Sequence, residues 1–206
     1  MEKKEIFQNW LEIPTTHSRS IDKYFDDLNL TSKRIEGKTI LDIGAGVMQF
    51  AKGVSDSGID AKVYSLDPFY SSPEKKSVHK KDDELLEKFV QSHNNPDLKD
   101  KIIGGYADKI PFCDSAFDMV ISEYSMPLYA RSVKEIDDFF DESLRVVKDN
   151  GEVRICPFWN LRSNEFRERV KSKLKEMEKN GLIRILKNED NLAIFQKIPK
   201  LSVDKI

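Results

Sequence analysis

The sequence predicts an α/β protein: a doubly wound sheet of seven strands, mostly parallel, closed by a C-terminal antiparallel hairpin and covered by helices on both faces. Three observations carry this. Apolar, β-favouring runs alternate five times with stretches of helical period between residues 39 and 179, the pattern of strands joined by helical crossovers. Thr39-Ile40-Leu41-Asp42-Ile43-Gly44-Ala45-Gly46-Val47-Met48-Gln49-Phe50 reads as a buried strand, a glycine turn and the first turn of a helix. The chain then closes with two short strand-like runs, Leu182–Leu186 and Leu192–Lys197, around Lys187-Asn188-Glu189-Asp190-Asn191.

Taken in order, Ile6, Phe7, Trp10, Leu11 and Ile13 have helical spacing that Pro14 ends, and Ile21, Tyr24, Phe25 and Leu28 repeat it behind Ser18 and Ser20. Two amphipathic helices therefore precede the sheet, with His17 in the loop between them. Strand one at 39–43 leads into a helix from about Val47 to Ser57, which Gly58 closes. Ala61–Leu66 is strand two and ends in Asp67-Pro68. The polar, lysine-rich stretch 68–81 reads as a surface loop, and Leu85, Leu86, Phe89 and Val90 mark a helix over 82–93. Lys101–Tyr106 and Phe117–Glu123 are strands three and four. Ser132 and Glu135 have capping-box spacing ahead of the apolar stripe Val133, Ile136, Phe140, Leu144 and Val147. Asn150-Gly151 turns the chain into strand five, Glu152–Pro157. A charged helix at about Ser163–Lys179 carries Phe166, Val170, Leu174 and Met177 on one face.

A chain of 206 residues buries a core without staples, and 34% charged with 10% aromatic residues suits a globular protein. A formal charge of −2 and a pI near 6.0 argue against a nucleic-acid-coating protein. Cys113 and Cys156 are far apart, so neither a disulfide framework nor a metal site is indicated. The N-terminus has no signal-like apolar run and no stretch reaches membrane-spanning length, which makes the cytoplasm the expected compartment.

An open α/β sheet holds its ligand at the carboxyl ends of its strands. Four predicted strand ends carry polar chemistry: the Asp42–Gly46 turn, Asp67, Ala107-Asp108, and Ser122-Glu123-Tyr124. Asp67 is a short ionised acceptor suited to the two hydroxyls of a ribose. A carboxylate at Asp108 can accept from the exocyclic amine of adenine. The dinucleotide pattern G-x-G-x-x-G fails, because its third glycine would fall at Gln49.

The ordered series Ile40-Leu41-Asp42-Ile43-Gly44-Ala45-Gly46, Asp67, Ala107-Asp108-Lys109-Ile110-Pro111-Phe112 and Ser115-Ala116-Phe117-Asp118-Met119-Val120-Ile121-Ser122 resembles the class I S-adenosylmethionine-dependent methyltransferases, of the methyltransferase-11 kind. Leu144-Arg145-Val146-Val147-Lys148-Asp149-Asn150-Gly151-Glu152 is similar to that family's approach to strand five, so the likeness covers roughly residues 38–157. It implies a Rossmann-like fold in one domain spanning 1–206: a helical cap at 1–36, a catalytic core at 37–200 and an insertion or lid at 68–96.

The resemblance also implies S-adenosyl-L-methionine as cofactor. Gly44, Ala45 and Gly46 would approach its methionine part, and Asp42 would orient the turn and the cofactor's amino group. Asp67 would bind the ribose, Pro68 or Phe69 would flank the adenine, Ala107 and Asp108 would read its edge, and Ser122 and Glu123 would contact the amino-acid end. The family commonly has a further glycine where this chain has Met48.

Methyl transfer is an in-line displacement that needs alignment and exclusion of water more than a fixed catalytic signature. If a base is used, Glu123 is the best-placed carboxylate, with His17 second; the other reading of Glu123 is a loop carboxylate paired with a lysine. Tyr70, Tyr124, Tyr129, Phe158 and Trp159 either line an acceptor pocket or pack lids on the core. Ser122-Glu123-Tyr124-Ser125-Met126-Pro127 does not match the Asn/Asp-Pro-Pro-Tyr/Phe segment of amino-methylating DNA enzymes. The expected partner is a small-molecule acceptor, with no DNA and no membrane; the alternatives are a protein or RNA acceptor, or a non-catalytic methyltransferase-like binding protein.

Overall fold

A computed structural model describes residues 19–71, 94–158, 164–189 and 191–199. Its strands are β1 (Thr39–Ile43), β2 (Lys62–Asp67), β3 (Ile102–Gly104), β4 (Phe117–Glu123), β5 (Val147–Cys156), β6 (Ile183–Glu189) and β7 (Leu192–Lys197). They form one sheet in the order β3-β2-β1-β4-β5-β7-β6. The first five are parallel, and β7 is antiparallel to both β5 and β6. The strand order reverses between β1 and β4, which makes the crevice beyond their carboxyl ends the natural ligand position of this topology.

The helices are α1 (Ile21–Leu28), α2 (Ser32–Ile35), α3 (Gln49–Asp56), α4 (Pro96–Lys99), α5 (Val133–Val146) and α6 (Asn164–Lys179). The period-two alternation of the strands splits the core into two layers. Leu41, Ile43, Val120, Ile155 and Phe195 pack with Ile136 and Phe140 of α5 and with Val170 and Leu174 of α6. On the opposite face Ile40, Met119, Ile121 and Ile194 pack with Tyr24 and Leu28 of α1 and with Phe50 and Val54 of α3. Helices therefore cover both faces, as the alternating pattern predicts.

Helix α5 starts as its sequence dictates: the Ser132 hydroxyl accepts the Glu135 N–H at 3.1 Å. The Glu135 carboxylate reaches one residue further back than a capping box, to the Arg131 N–H at 2.9 Å. Strand β5 begins at Val147 rather than Glu152. Val147 already pairs with Phe117; the register then jumps to Met119 and Glu152, and Asn150 sits at φ 63° within the irregularity. The Asn-Gly pair thus makes a bulge inside the strand instead of a turn before it. Strand β3 is shorter than the apolar run, and Tyr106 forms an isolated bridge with Lys109. The one-turn helix α2, capped by the Thr31 hydroxyl on the Arg34 N–H, is too short to show a period. The helices expected over 6–13 and 82–93 lie outside the described residues.

Arg154, 1% exposed, fastens α1 to the sheet. Its Nη1 donates to the Leu28 and Asn29 carbonyls at 2.6 and 2.7 Å, and its Nη2 to Glu152 at 2.7 Å. Those carbonyls belong to the end of α1, where helix C=O groups lack partners and a cation is favoured. Asn29 closes the helix in the left-handed region at φ 50°. Among the described residues no helix is long and apolar enough to cross a membrane.

Candidate functional site

Three carboxylates converge at the switch point for a reason written in the strand register. Asp42 lies beside Ser65 of β2 and Ile121 of β4, so Asp67 and Glu123 both stand two residues further on, level with Gly44. Counting by twos from Val63, Ile40 and Ile121 puts Asp67, Asp42 and Glu123 on the α1/α3 face of the sheet. Asp42 is 1% exposed and Glu123 2% exposed.

Burial, followed by the charges of Glu123 and Asp67, pushes the Asp42 carboxyl well above its ordinary range. Burial also pushes Glu123 up to about 8, opposed by the Arg19 guanidinium and reinforced by the neighbouring Asp27 carboxylate. Asp42 Oδ2 and Glu123 Oε1 are buried with no hydrogen-bond partner. Two such atoms side by side are costly unless a positive group meets them.

The glycine turn is held by its neighbours. Gly44 and Gly46 adopt φ 75° and 53°, the left-handed region that favours glycine. A Cβ on Gly44 would lie 1.7 Å from Ser125 Oγ, so the loop after β4 rests directly on this turn. Asp67 Oδ2 accepts the Gly46 N–H at 3.0 Å, and the Tyr70 hydroxyl donates to the Gly46 carbonyl at 2.7 Å. Ala45 is buried, and its N–H, like that of Gly44, donates to the Leu66 carbonyl. Pro68 opens the short 3-10 turn Pro68–Ser71 that carries Tyr70.

Met48 also takes φ 62°, which explains why glycine is favoured there. Its side chain is fully buried in the α1/α3 core layer, so it fills the core beneath the turn. Ser122 is buried and donates from its hydroxyl to the Met126 carbonyl at 2.8 Å.

From the far side of the crevice, Arg19 donates to Glu123 Oε2 at 3.2 Å, and its guanidinium carbon stands 3.8 Å from the centre of the Tyr124 ring. Tyr124 is in the left-handed region at φ 48°, and its N–H donates to the Cys156 carbonyl at 2.6 Å. Glu123 therefore pairs with a buried-edge arginine rather than a surface lysine.

Tyr129 is half-buried in the same loop, and Ala107 and Asp108 form the turn after β3, with Asp108 exposed. The Tyr70 hydroxyl is drawn to the glycine turn, and Phe158 is buried in the α5/α6 core layer. Trp159, His17 and the Phe69 side chain lie outside the described residues. The strand-end reading missed Arg19 and Asp27. The signal for Asp27 was the helical period of α1, which leaves it on the edge beside the buried Tyr24 and Leu28; Arg19 lies ahead of that helix and carried no such signal.

The family model described as "Methyltransferase domain" matches residues 41–155. The chain belongs to that family. It is a class I S-adenosylmethionine-dependent methyltransferase, with S-adenosylmethionine as its cofactor.

Solved structures share the fold. A protein of Pyrococcus horikoshii aligns at a TM-score of 0.60 and 17% identity, over 92% of this chain and 98% of that one. An S-adenosylmethionine-dependent methyltransferase of Aquifex aeolicus aligns at 0.52 and 19%, over 97% and 100%. A candidate methyltransferase of Methanococcus maripaludis aligns at 0.51 and 16%, over 99% and 98%. No functionally curated protein matches the sequence. The residues present in this methyltransferase fit the cofactor: it carries an ammonium and a sulfonium, and the crevice offers Asp42 Oδ2, a buried carboxyl oxygen that lacks a partner.

Proposed function

We propose that this methyltransferase methylates a small-molecule acceptor in the crevice between the carboxyl ends of β1 and β4. The observation that carries the reading is the trio Asp42, Asp67 and Glu123 on one face at the switch point, with Asp42 Oδ2 and Glu123 Oε1 unpartnered. Asp42, Gly44, Ala45 and Gly46 receive the methionine part of the cofactor. Asp67 accepts from the ribose, Pro68 flanks the adenine, and Ala107 and Asp108 read its edge. Ser122 and Glu123 meet the amino-acid end through their backbone. When bound, the cofactor supplies an electrophilic methyl group on sulfur.

Glu123 is the group positioned to hold the acceptor's proton, and it is ionised only as the pH passes about 8. Tyr124 and Tyr129 line the acceptor side, together with Trp159. The helical cap at 1–36, the insertion at 68–96 and the core at 37–200 act as one domain, in which the cap excludes water. Two observations support a small acceptor. The Glu123 side chain has no exposed surface, and the balanced charge offers no track for RNA.

The test is uptake of labelled methyl from S-adenosylmethionine by pooled metabolites, with protein and RNA pools run beside them. Label appearing in a small molecule is expected. Label appearing only in the protein or RNA pool overturns the small-acceptor reading.

A further inference from the structure

We propose that Arg19 plugs a binding site for an organic cation, built from Glu123, Asp27 and the face of Tyr124, and that the methyl acceptor carries an amine or guanidinium group which takes Arg19's place there. This rests on the methyltransferase reading for the word acceptor; the site itself rests on geometry.

A carboxylate beside an aromatic face is the combination that recognises a desolvated cation. Here a guanidinium already occupies it, 3.2 Å from Glu123 Oε2 and 3.8 Å from the Tyr124 ring centre. One guanidinium does not use up the site. Once Glu123 loses the proton it shares with Asp27, Glu123 Oε1 and Asp27 Oδ2 are left buried without a partner, while the other Asp27 oxygen is held by Lys23. Glu123 and Asp27 lie close enough for Asp27 to raise the Glu123 proton affinity, and Asp42 adds a third carboxylate nearby. The groups facing Glu123 are thus Tyr24, Asp27, Lys23 and Arg19 from the α1 side, Asp42 from β1, Tyr124 from its own loop and the neutral Cys156 thiol from β5.

Arg19 is suited to leave. A guanidinium has five donors, and among the described residues the one hydrogen bond it makes is to Glu123. It precedes the cap residue Ser20, whose hydroxyl accepts the Lys23 N–H, so the side chain can swing out without unwinding α1. Its side chain is 17% exposed against 0% for Glu123, which places the opening of the site on the Arg19 side. Tyr124 keeps its ring there at φ 48°, a backbone conformation that is costly for a non-glycine residue. Strain held at a strand end beside a buried carboxylate is the pattern of a binding site rather than of a core.

The experiment is an NMR titration with ethylguanidinium at about pH 9, where Glu123 is ionised, using its neutral isostere ethylurea as control. Arg19→Ala is expected to bind ethylguanidinium at least tenfold more tightly than the wild type and to ignore ethylurea. Adding Glu123→Gln is expected to remove at least tenfold of that affinity. Arg19→Met, which keeps the apolar stem, gives the same comparison should the alanine variant fold poorly.

No gain of binding in either folded variant overturns the proposal. So does equal binding of ethylurea, or competition between ethylguanidinium and S-adenosylmethionine, which would assign the site to the cofactor's own ammonium. Titration of S-adenosylmethionine into the wild type keeps the two readings apart: its failure there would remove the methyltransferase reading and leave the cation site standing on its own result. In the wild type, methyl uptake is expected in the amine and guanidine fraction of the metabolite pool; uptake confined to phenols or carboxylic acids overturns the assignment of the acceptor.

Discussion

Replacing Glu123 by Gln should change the pH dependence of stability more than stability itself. Glu123 is 2% exposed, and its carboxyl is raised from 4.5 to about 8, first by burial and then by Asp27. The folded protein therefore holds a proton that the unfolded chain releases between those two values. The neutral carboxyl's contribution is fully present below 4.5 and disappears as the pH rises through about 8. At about 1.36 kcal/mol for each tenfold step, the whole window is worth up to about 5 kcal/mol.

Gln cannot ionise, so Glu123→Gln should lose the Arg19 pairing at every pH yet gain on the wild type as the pH rises. Urea denaturation at about pH 5 and about pH 9 measures both arms. We expect the variant to be weaker or equal at the lower pH and several kcal/mol better, relative to wild type, at the higher one. The same difference at both pH values would refute the burial argument and with it the description of Glu123 as a proton-holding group.

Other consequences follow from the same crevice and its supports. Gly44→Ala places a Cβ 1.7 Å from Ser125 Oγ at φ 75°; it should cost more than the ~1–2 kcal/mol of the backbone alone, and Ser125→Gly in the same chain should recover the excess. A double variant no better than the single one would show that the loop after β4 does not rest on the turn. Met48→Gly relieves a left-handed methionine but empties a fully buried site, so a net loss of about 2–3 kcal/mol by denaturation is expected; a more stable variant would remove Met48 from the core. Arg154→Ala leaves two carbonyls without their donor, while Arg34 still holds Glu152, and should cost about 2–4 kcal/mol, with faster amide exchange over residues 21–28; unchanged exchange there would show that Arg154 does not hold α1.

The strands were legible because a buried β-strand writes its own apolar run, and the strand-end acids because turns follow those runs. Counting by twos along 40–42, 63–67 and 119–123 already puts Asp42, Asp67 and Glu123 on one face. What could not be read was tertiary. Arg19 meets Glu123 across 104 residues and Arg154 meets Leu28 across 126, and a charged residue in an amphipathic segment or strand looks like a solvent face until its partner is known. The bulge that begins β5 at Val147 was hidden for a similar reason: Asn150-Gly151 is a turn signal by composition, and only pairing with Phe117 keeps the chain in the sheet. Met48 shows the opposite case, where a departure from a familiar glycine turns out to be core packing.

The most direct test of the account is calorimetric titration of the wild type and of Asp67→Ala with S-adenosylmethionine. Binding on the order of −8 kcal/mol is expected for the wild type, a low-micromolar constant. At least a tenfold loss is expected for Asp67→Ala, because that change removes both the expected ribose acceptor and the oxygen that holds the Gly46 N–H. No binding to the wild type, or the same affinity in both proteins, would contradict the account.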